Sequence, residues 1–237
     1  MILKVLILTL LFFSISASDE NQIYKVKKLY GEARVRHGLK EQWDKLSLGD
    51  TLRPGDTILL DKNGYVEIDG NNKTYFKSSG GIIINIIDLR RLTKEELLLQ
   101  LAFEEIKSVP NTQKEKQNAR STGVYGTGME KGGIKLKSGW NLIDFWVSGV
   151  RALFENGFYE TAAIRAKNLM SKFDELKDNI ELRIIVASSL EKLQLYGEAI
   201  SELNKILLAS KDETLNYKIE RKINDLKLKI APPKEKK

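Results

Sequence analysis

Cysteine is absent from the 237 residues, and histidine occurs once, at position 37. Without cysteine there is no disulfide framework, no thiolate nucleophile and no thiol to carry a lipid, so the fold must hold by packing alone. One histidine cannot supply the paired imidazoles of a zinc site. A Ser-His nucleophile would have to be built on His37 beside Gly38, in a polar turn. Long apolar runs are also missing. The strongest, Val5–Ile15, is too short to span a bilayer. With Lys4 before it and Ser16-Ala17-Ser18 after it, residues 1–18 have the layout of a secretory signal peptide, which predicts a periplasmic or secreted protein with no membrane span after cleavage.

An unbalanced charge is lacking where it would matter. The net charge is +7, yet residues 19–110 hold fifteen basic and fifteen acidic side chains, and 141–230 hold fourteen of each. The excess lies in 111–140, in the tail and at Lys4. Neither prospective folded unit has a net positive field to steer a polyanion, which argues against a nucleic-acid partner.

What is present begins with turns. Gly49-Asp50-Thr51 recurs as Gly55-Asp56-Thr57, each followed by an apolar residue. Glycine permits positive φ, and aspartate bonds its own backbone two residues on, so both read as turns before strands. Pro54-Gly55 fits the centre of a type II turn. Asn63-Gly64 predicts a hairpin joining Thr57–Leu60 to Tyr65–Ile68. Alternation over Ile23–Lys27 and Ala33–Arg36 marks half-exposed strands, and Lys73–Phe76 and Ile82–Ile87 complete a sheet, with Asn71-Asn72 and Ser78–Gly81 as turns. Asp50, Asp56, Asp61 and Asp69 follow turn spacing and lack the Asp-x-Asp-x-Asp-Gly pattern of a calcium loop. Trp43 reads as a cap on the small core, with an exposed sugar-stacking role as the alternative.

Gly31-Glu32-Ala33-Arg34-Val35, Trp43, Leu46–Asp50, Leu52, Gly55–Ile58 and Gly64–Ile68 together resemble the FecR-like periplasmic domain, over about residues 23–90. The resemblance implies an exported β module of sensory or envelope proteins, without catalytic activity of its own.

Ile82–Ile87 is apolar on both faces except Asn85, so something must cover its second face. Thr93 and Glu96 form a capping box, and Leu97, Leu98, Leu101, Ala102 and Ile106 make a helical stripe closed by Pro110. A helix over about 94–107 is expected to pack on the β module. Residues 111–139 are polar, basic and glycine-rich, as a flexible linker would be. Thr122–Thr127 lies within them and resembles a segment that trails FecR-like domains, with Tyr125 where arginine is usual.

From residue 140 the periodicity becomes helical. Asn156–Ala163 matches Leu193–Ile200, with tyrosines 159 and 196 in register. The spacing is close to the 34-residue period of tetratricopeptide repeats, which residues 141–210 resemble, although Gln194 replaces the usual turn glycine. A helix from about Glu213 to Lys229 reads as a cap on the stack.

The expectation is thus an α+β chain of two domains: a FecR-like antiparallel β module with one packed helix (19–110), the linker (111–139), an all-α tetratricopeptide-like domain (140–230) and a disordered tail (231–237). No catalytic site, metal or cofactor is expected. Tetratricopeptide-like repeats imply a concave surface lined by the first helix of each copy. The alignment places Asp144, Val147, Arg151 and Phe154 there, with Glu181, Ile184, Ser188 and Glu191 from the second copy. Mixed charges there suit a protein or peptide partner in the cell envelope, as for a scaffold. The alternative is a sensor-like module whose sheet recognises a cell-wall glycan or peptide. Two repeats are few to stand alone, so self-association or contact with the β module would supply burial.

Overall fold

The computed structural model describes residues 22–70, 75–108 and 141–230. The signal segment 1–18, the Asn71-Asn72 turn, Lys73-Thr74, Pro110, the linker 111–139, Trp140 and the tail 231–237 lie outside the described residues. The described chain is mixed α+β, with two antiparallel sheets in its first part and helices after them.

The strands are β1 (Tyr24–Tyr30), β2 (Ala33–Arg36), β3 (Asp44–Lys45), β4 (Thr51–Leu52), β5 (Thr57–Leu60), β6 (Tyr65–Gly70), β7 (Tyr75–Ser79) and β8 (Ile82–Asn85). They form two four-stranded sheets, ordered β4-β1-β6-β7 and β3-β2-β5-β8. Their apolar residues belong to one continuous core that includes Val26, Ile68 and Phe76 from the first sheet and Val35, Ile58 and Ile84 from the second.

The Gly-Asp turns form as expected, with a different bond. Asp50 accepts from the Ser47 N–H and Asp56 from the Arg53 N–H, each at 2.8 Å, so each carboxylate closes its turn backwards over three residues. Gly49 has φ of 87°, but Gly55 does not lie in the positive-φ region, so Pro54-Gly55 is not a type II turn. Nor does Asn63-Gly64 make a hairpin. β5 pairs with β2 and β8 in one sheet, whereas β6 pairs with β1 and β7 in the other. The chain changes sheets at this turn and at four other connections, among them those between β1 and β2 and between β7 and β8. These three corners stack: Asp61 N–H bonds the Glu32 carbonyl at 2.9 Å, and Gly80 N–H bonds the Gly64 carbonyl at 3.0 Å. A Cβ on Gly31 would stand 2.9 Å from the Gly64 Cα, so glycine is required where two corners touch.

The helices are α1 (Lys94–Ser108), α2 (Leu142–Glu155), α3 (Tyr159–Lys172), α4 (Ile180–Lys192), α5 (Tyr196–Ala209) and α6 (Glu213–Ile230). The capping box of α1 is present: Thr93 N–H bonds Glu96 at 2.8 Å and Glu96 N–H bonds the Thr93 hydroxyl at 3.1 Å. The packing of α1 differs from expectation. Its main partner is α3, and the element that lies along β8 is α2. The reason is visible in α2, which buries Phe145, Trp146, Val147, Val150, Ala152 and Leu153, more than one stripe can hold. A helix apolar on several sides is buried on several sides, and this one lies between a sheet and other helices.

β7 and β8 end their respective sheets, and both ends are closed by α2 and the residue after it. The Asn156 amide donates to the Lys77 carbonyl (2.8 Å) and accepts from its N–H (3.0 Å), as a neighbouring strand would. At β8 the closure is steric: a methyl group built on Gly149 would overlap the carbonyl oxygen of Ile83.

The two hairpins α2–α3 and α4–α5 repeat one another. Bonds Asn156 N–H to Ala152, Gly157 N–H to Phe154, Phe158 N–H to Leu153 and Ala162 N–H to Phe158 recur, shifted by one repeat, from Leu193, Gln194, Leu195 and Ala199. Gly157 has φ of 77°, and Gln194, in the same place, has φ of 60°.

Candidate partner-binding surface

The surface is built on α2 and α4, the first helices of the two copies. Each is started by an asparagine cap: Asn141 accepts from the Ile143 N–H at 3.0 Å and Asn179 from the Leu182 N–H at 2.9 Å. Asp144 and Glu181 occupy equivalent positions, and both are exposed. The structure brings Arg151 and Glu181 together across the helices, with Arg151 Nε at 2.8 Å and Nη2 at 2.5 Å from one carboxylate oxygen. Ile184 is exposed beside this pair on α4, one turn from Glu181, and Ser188 is half-buried a further turn along.

Three of the expected residues have other work. Val147 is buried and belongs to the core between α2 and its neighbours. Phe154 is half-buried, its ring edge-on to Tyr159 at 5.4 Å. Glu191 is tied to α6, with Lys222 at 2.6 Å and Lys229 at 3.1 Å. Burial works to raise the Glu191 pKa, but the hydrogen bonds and charges of the two lysines prevail and hold it below the usual carboxylate range. The open stripe therefore runs through Asp144, Arg151, Glu181, Ile184 and Ser188, while Val147, Phe154 and Glu191 anchor the helices that present it.

Behind the surface lie two buried charges that sequence reasoning missed, at matching positions of the second helices. Arg165 on α3 and Glu202 on α5 are both buried. Arg165 reaches back to Asp88, in the 3-10 turn Ile86–Leu89, with Nε at 2.8 and 2.9 Å and Nη2 at 2.8 Å from the carboxylate oxygens. The Thr161 hydroxyl donates to the Asp88 carbonyl at 2.8 Å. Burial raises the Asp88 pKa against the opposing pull of Arg165. A cavity with room for about one water lies alongside, lined by Asp88, Arg165, Ile83, Ile84, Trp146 and Gly149 among others. Glu202 is enclosed by Lys167 (3.1 Å), Lys205 (2.8 Å) and Arg183 (3.6 Å). The only sequence signal for either was a charged residue at a helix position otherwise occupied by the core stripe.

Elsewhere, His37 Nδ1 lies 3.0 Å from Asp56, whose turn also anchors the 3-10 turn through the Ile86 N–H (2.8 Å to the Asp56 carbonyl). Trp43 is half-buried against the core with the Arg36 guanidinium 5.4 Å from its ring centroid, as a core cap would be. Among the described residues no cluster of His, Asp or Glu could hold a metal ion, and no helix is long and apolar enough to cross a membrane.

The chain matches no protein-family model, and no curated protein or solved structure is significantly similar to it.

Proposed function

We propose that this is a non-catalytic, exported interaction protein of the bacterial cell envelope, with a FecR-like β unit and a tetratricopeptide-like helical unit that holds a protein or peptide partner. The observation that carries the reading is the pair of helical hairpins with matching turn bonds, whose first helices leave Asp144, Arg151, Glu181 and Ile184 in the open. Repeated hairpins of this kind present extended surfaces, and mixed charges beside an exposed isoleucine suit a peptide or a partner's helix. The exposed Arg151–Glu181 pair contributes little to stability, typically about 0–1 kcal/mol, so a stability role does not account for it well. Export rests on the segment 1–18, and the family names rest on the spaced turns and the repeat described above.

The test is a photo-crosslinking amino acid placed at Ile184, at Asp144 and, as a control, at Leu208, which is highly exposed on α5. Discrete crosslinked products from 184 and 144, abolished by combining Arg151→Glu with Glu181→Lys, are the expected result. Products from 208 alone, or products indifferent to the charge reversal, would refute a partner surface on α2 and α4.

A further inference from the structure

The outward face of the sheet β4-β1-β6-β7 carries chemistry that neither the core nor the helices use. Val66 and Ile68 point into the core, so Tyr65, Glu67 and Asp69 point out. Register places Tyr30 opposite Tyr65, Lys28 opposite Glu67, and Tyr75 opposite Asp69. Three tyrosines thus share the face with one carboxylate. Although it faces outward, Glu67 is only 8% exposed. Its Oε1 accepts from the Tyr65 hydroxyl and from Lys28 Nζ (3.1 Å). Tyr30 and Tyr75 remain 64% and 46% exposed, and the Tyr30 and Tyr65 rings sit 5.9 Å apart, inclined at 41°.

We propose that this face is a saccharide-binding platform, with Tyr30 and Tyr75 as stacking surfaces and the Tyr65–Glu67–Lys28 cluster as the polar contact that orients a sugar. Each carboxylate is flanked by ammonium groups, Glu67 by Lys28 at 3.1 Å and by Lys77 opposite it on β7, and Asp69 by Lys27 at 3.7 Å and by Lys25 opposite it on β1. The face thus has a small positive excess with acidic groups embedded in it, which suits an uncharged ligand better than a polyanion. The outward positions of β1, β6 and β7 carry no aliphatic side chain, and the exposed Ile23 stands only at the edge, just before β1, which leaves little apolar anchor for a protein partner. Aromatic faces beside fixed hydroxyl, carboxylate and ammonium groups instead match a ligand that is apolar on its C–H faces and polar at its rim, as a neutral sugar is. The cluster is preorganised. Hydrogen bonding to Glu67 pushes the Tyr65 hydroxyl up to about 12, and the same bond holds Glu67 below the usual carboxylate range, so donor and acceptor roles are fixed at neutral pH.

The site is separate from the α2–α4 surface and stands or falls without it. The experiment is NMR of the full chain with labelled tyrosine rings, titrated to about 10 mM with three tetrasaccharides: β-1,4-linked glucose, β-1,4-linked N-acetylglucosamine and α-1,4-linked glucose. At least one should shift the Tyr30 and Tyr75 rings and saturate. Tyr30→Ala should weaken that binding by up to about tenfold, with the thermal melt unchanged, and Trp43→Phe should leave it intact. Silence of these rings toward all three sugars would overturn the proposal. So would binding that survives the double change Tyr30→Ala and Tyr75→Ala, or rings shifted by a proline-rich peptide and by no sugar.

Discussion

The two helical hairpins are the same device in different surroundings. The second, α4–α5, has helices on both sides, and the first, α2–α3, has a sheet on one side. Where α4 carries Val186 in the core, α2 carries Gly149 against the Ile83 carbonyl. Where α5 buries Glu202 among cations from its own and neighbouring helices, α3 buries Arg165 against Asp88 of the sheet region. The repeat keeps its turn and its inter-helix contacts, and it varies at the positions that meet a different neighbour. A glycine in mid-helix costs roughly 1 kcal/mol relative to alanine, so its presence at 149 reports the closeness of the sheet and not a helical preference.

The comparison can be broken most severely at the buried charge. Arg165→Ala leaves Asp88 unpaired in the core and should cost about 3–5 kcal/mol, whereas Asp88→Leu with Arg165→Met should recover most of that loss, as measured by urea unfolding. An equal loss in the double variant would mean that the hydrogen bonds around Asp88, and not its charge, hold the junction. Next in size is Gly149→Ala. On an exposed helix this change stabilises, but here it forces α2 off β8 and should cost about 1–3 kcal/mol by thermal melt. A gain in stability would show that α2 does not press on the sheet. Smallest is the turn. Gln194→Gly should gain up to about 1 kcal/mol and Gly157→Ala should lose about as much or more, because an L side chain is disfavoured at positive φ. Effects of the same sign at both positions would sink the equivalence of the two turns.

Much of the frame could be read from residues alone. The capping box at Thr93 and Glu96 forms because two side chains and two N–H groups suffice to define it locally. The repeat offset survived even the substitution of glycine by Gln194, because the pattern of buried positions on both sides fixes where the turn must fall. Asn63-Gly64 was misleading for the opposite reason. A turn signal says that the chain reverses, not whether the next strand pairs with the last or crosses to another sheet, and β5 and β6 are both buried enough for either. Asp88 and Arg165 lie 77 residues apart, and nothing local to either announces a partner. On the candidate surface, the placing of Arg151 and Glu181 on one face followed from the alignment. The inward turn of Val147 and Phe154 did not, because α2 has apolar residues around most of its circumference and periodicity cannot say which of them faces out.

That the first hairpin and the sheets are one folded unit is the claim on which the rest depends. Native-state hydrogen exchange of the full chain tests it directly, by comparing the backbone amides of β5 and β8 with those in the middle of α2 and α3. Joined through Gly149, Asn156 and the Asp88–Arg165 pair, these segments should open with the same free energy and the same denaturant dependence. Helices that exchange at a distinctly lower free energy, while the strands stay protected, would contradict the account.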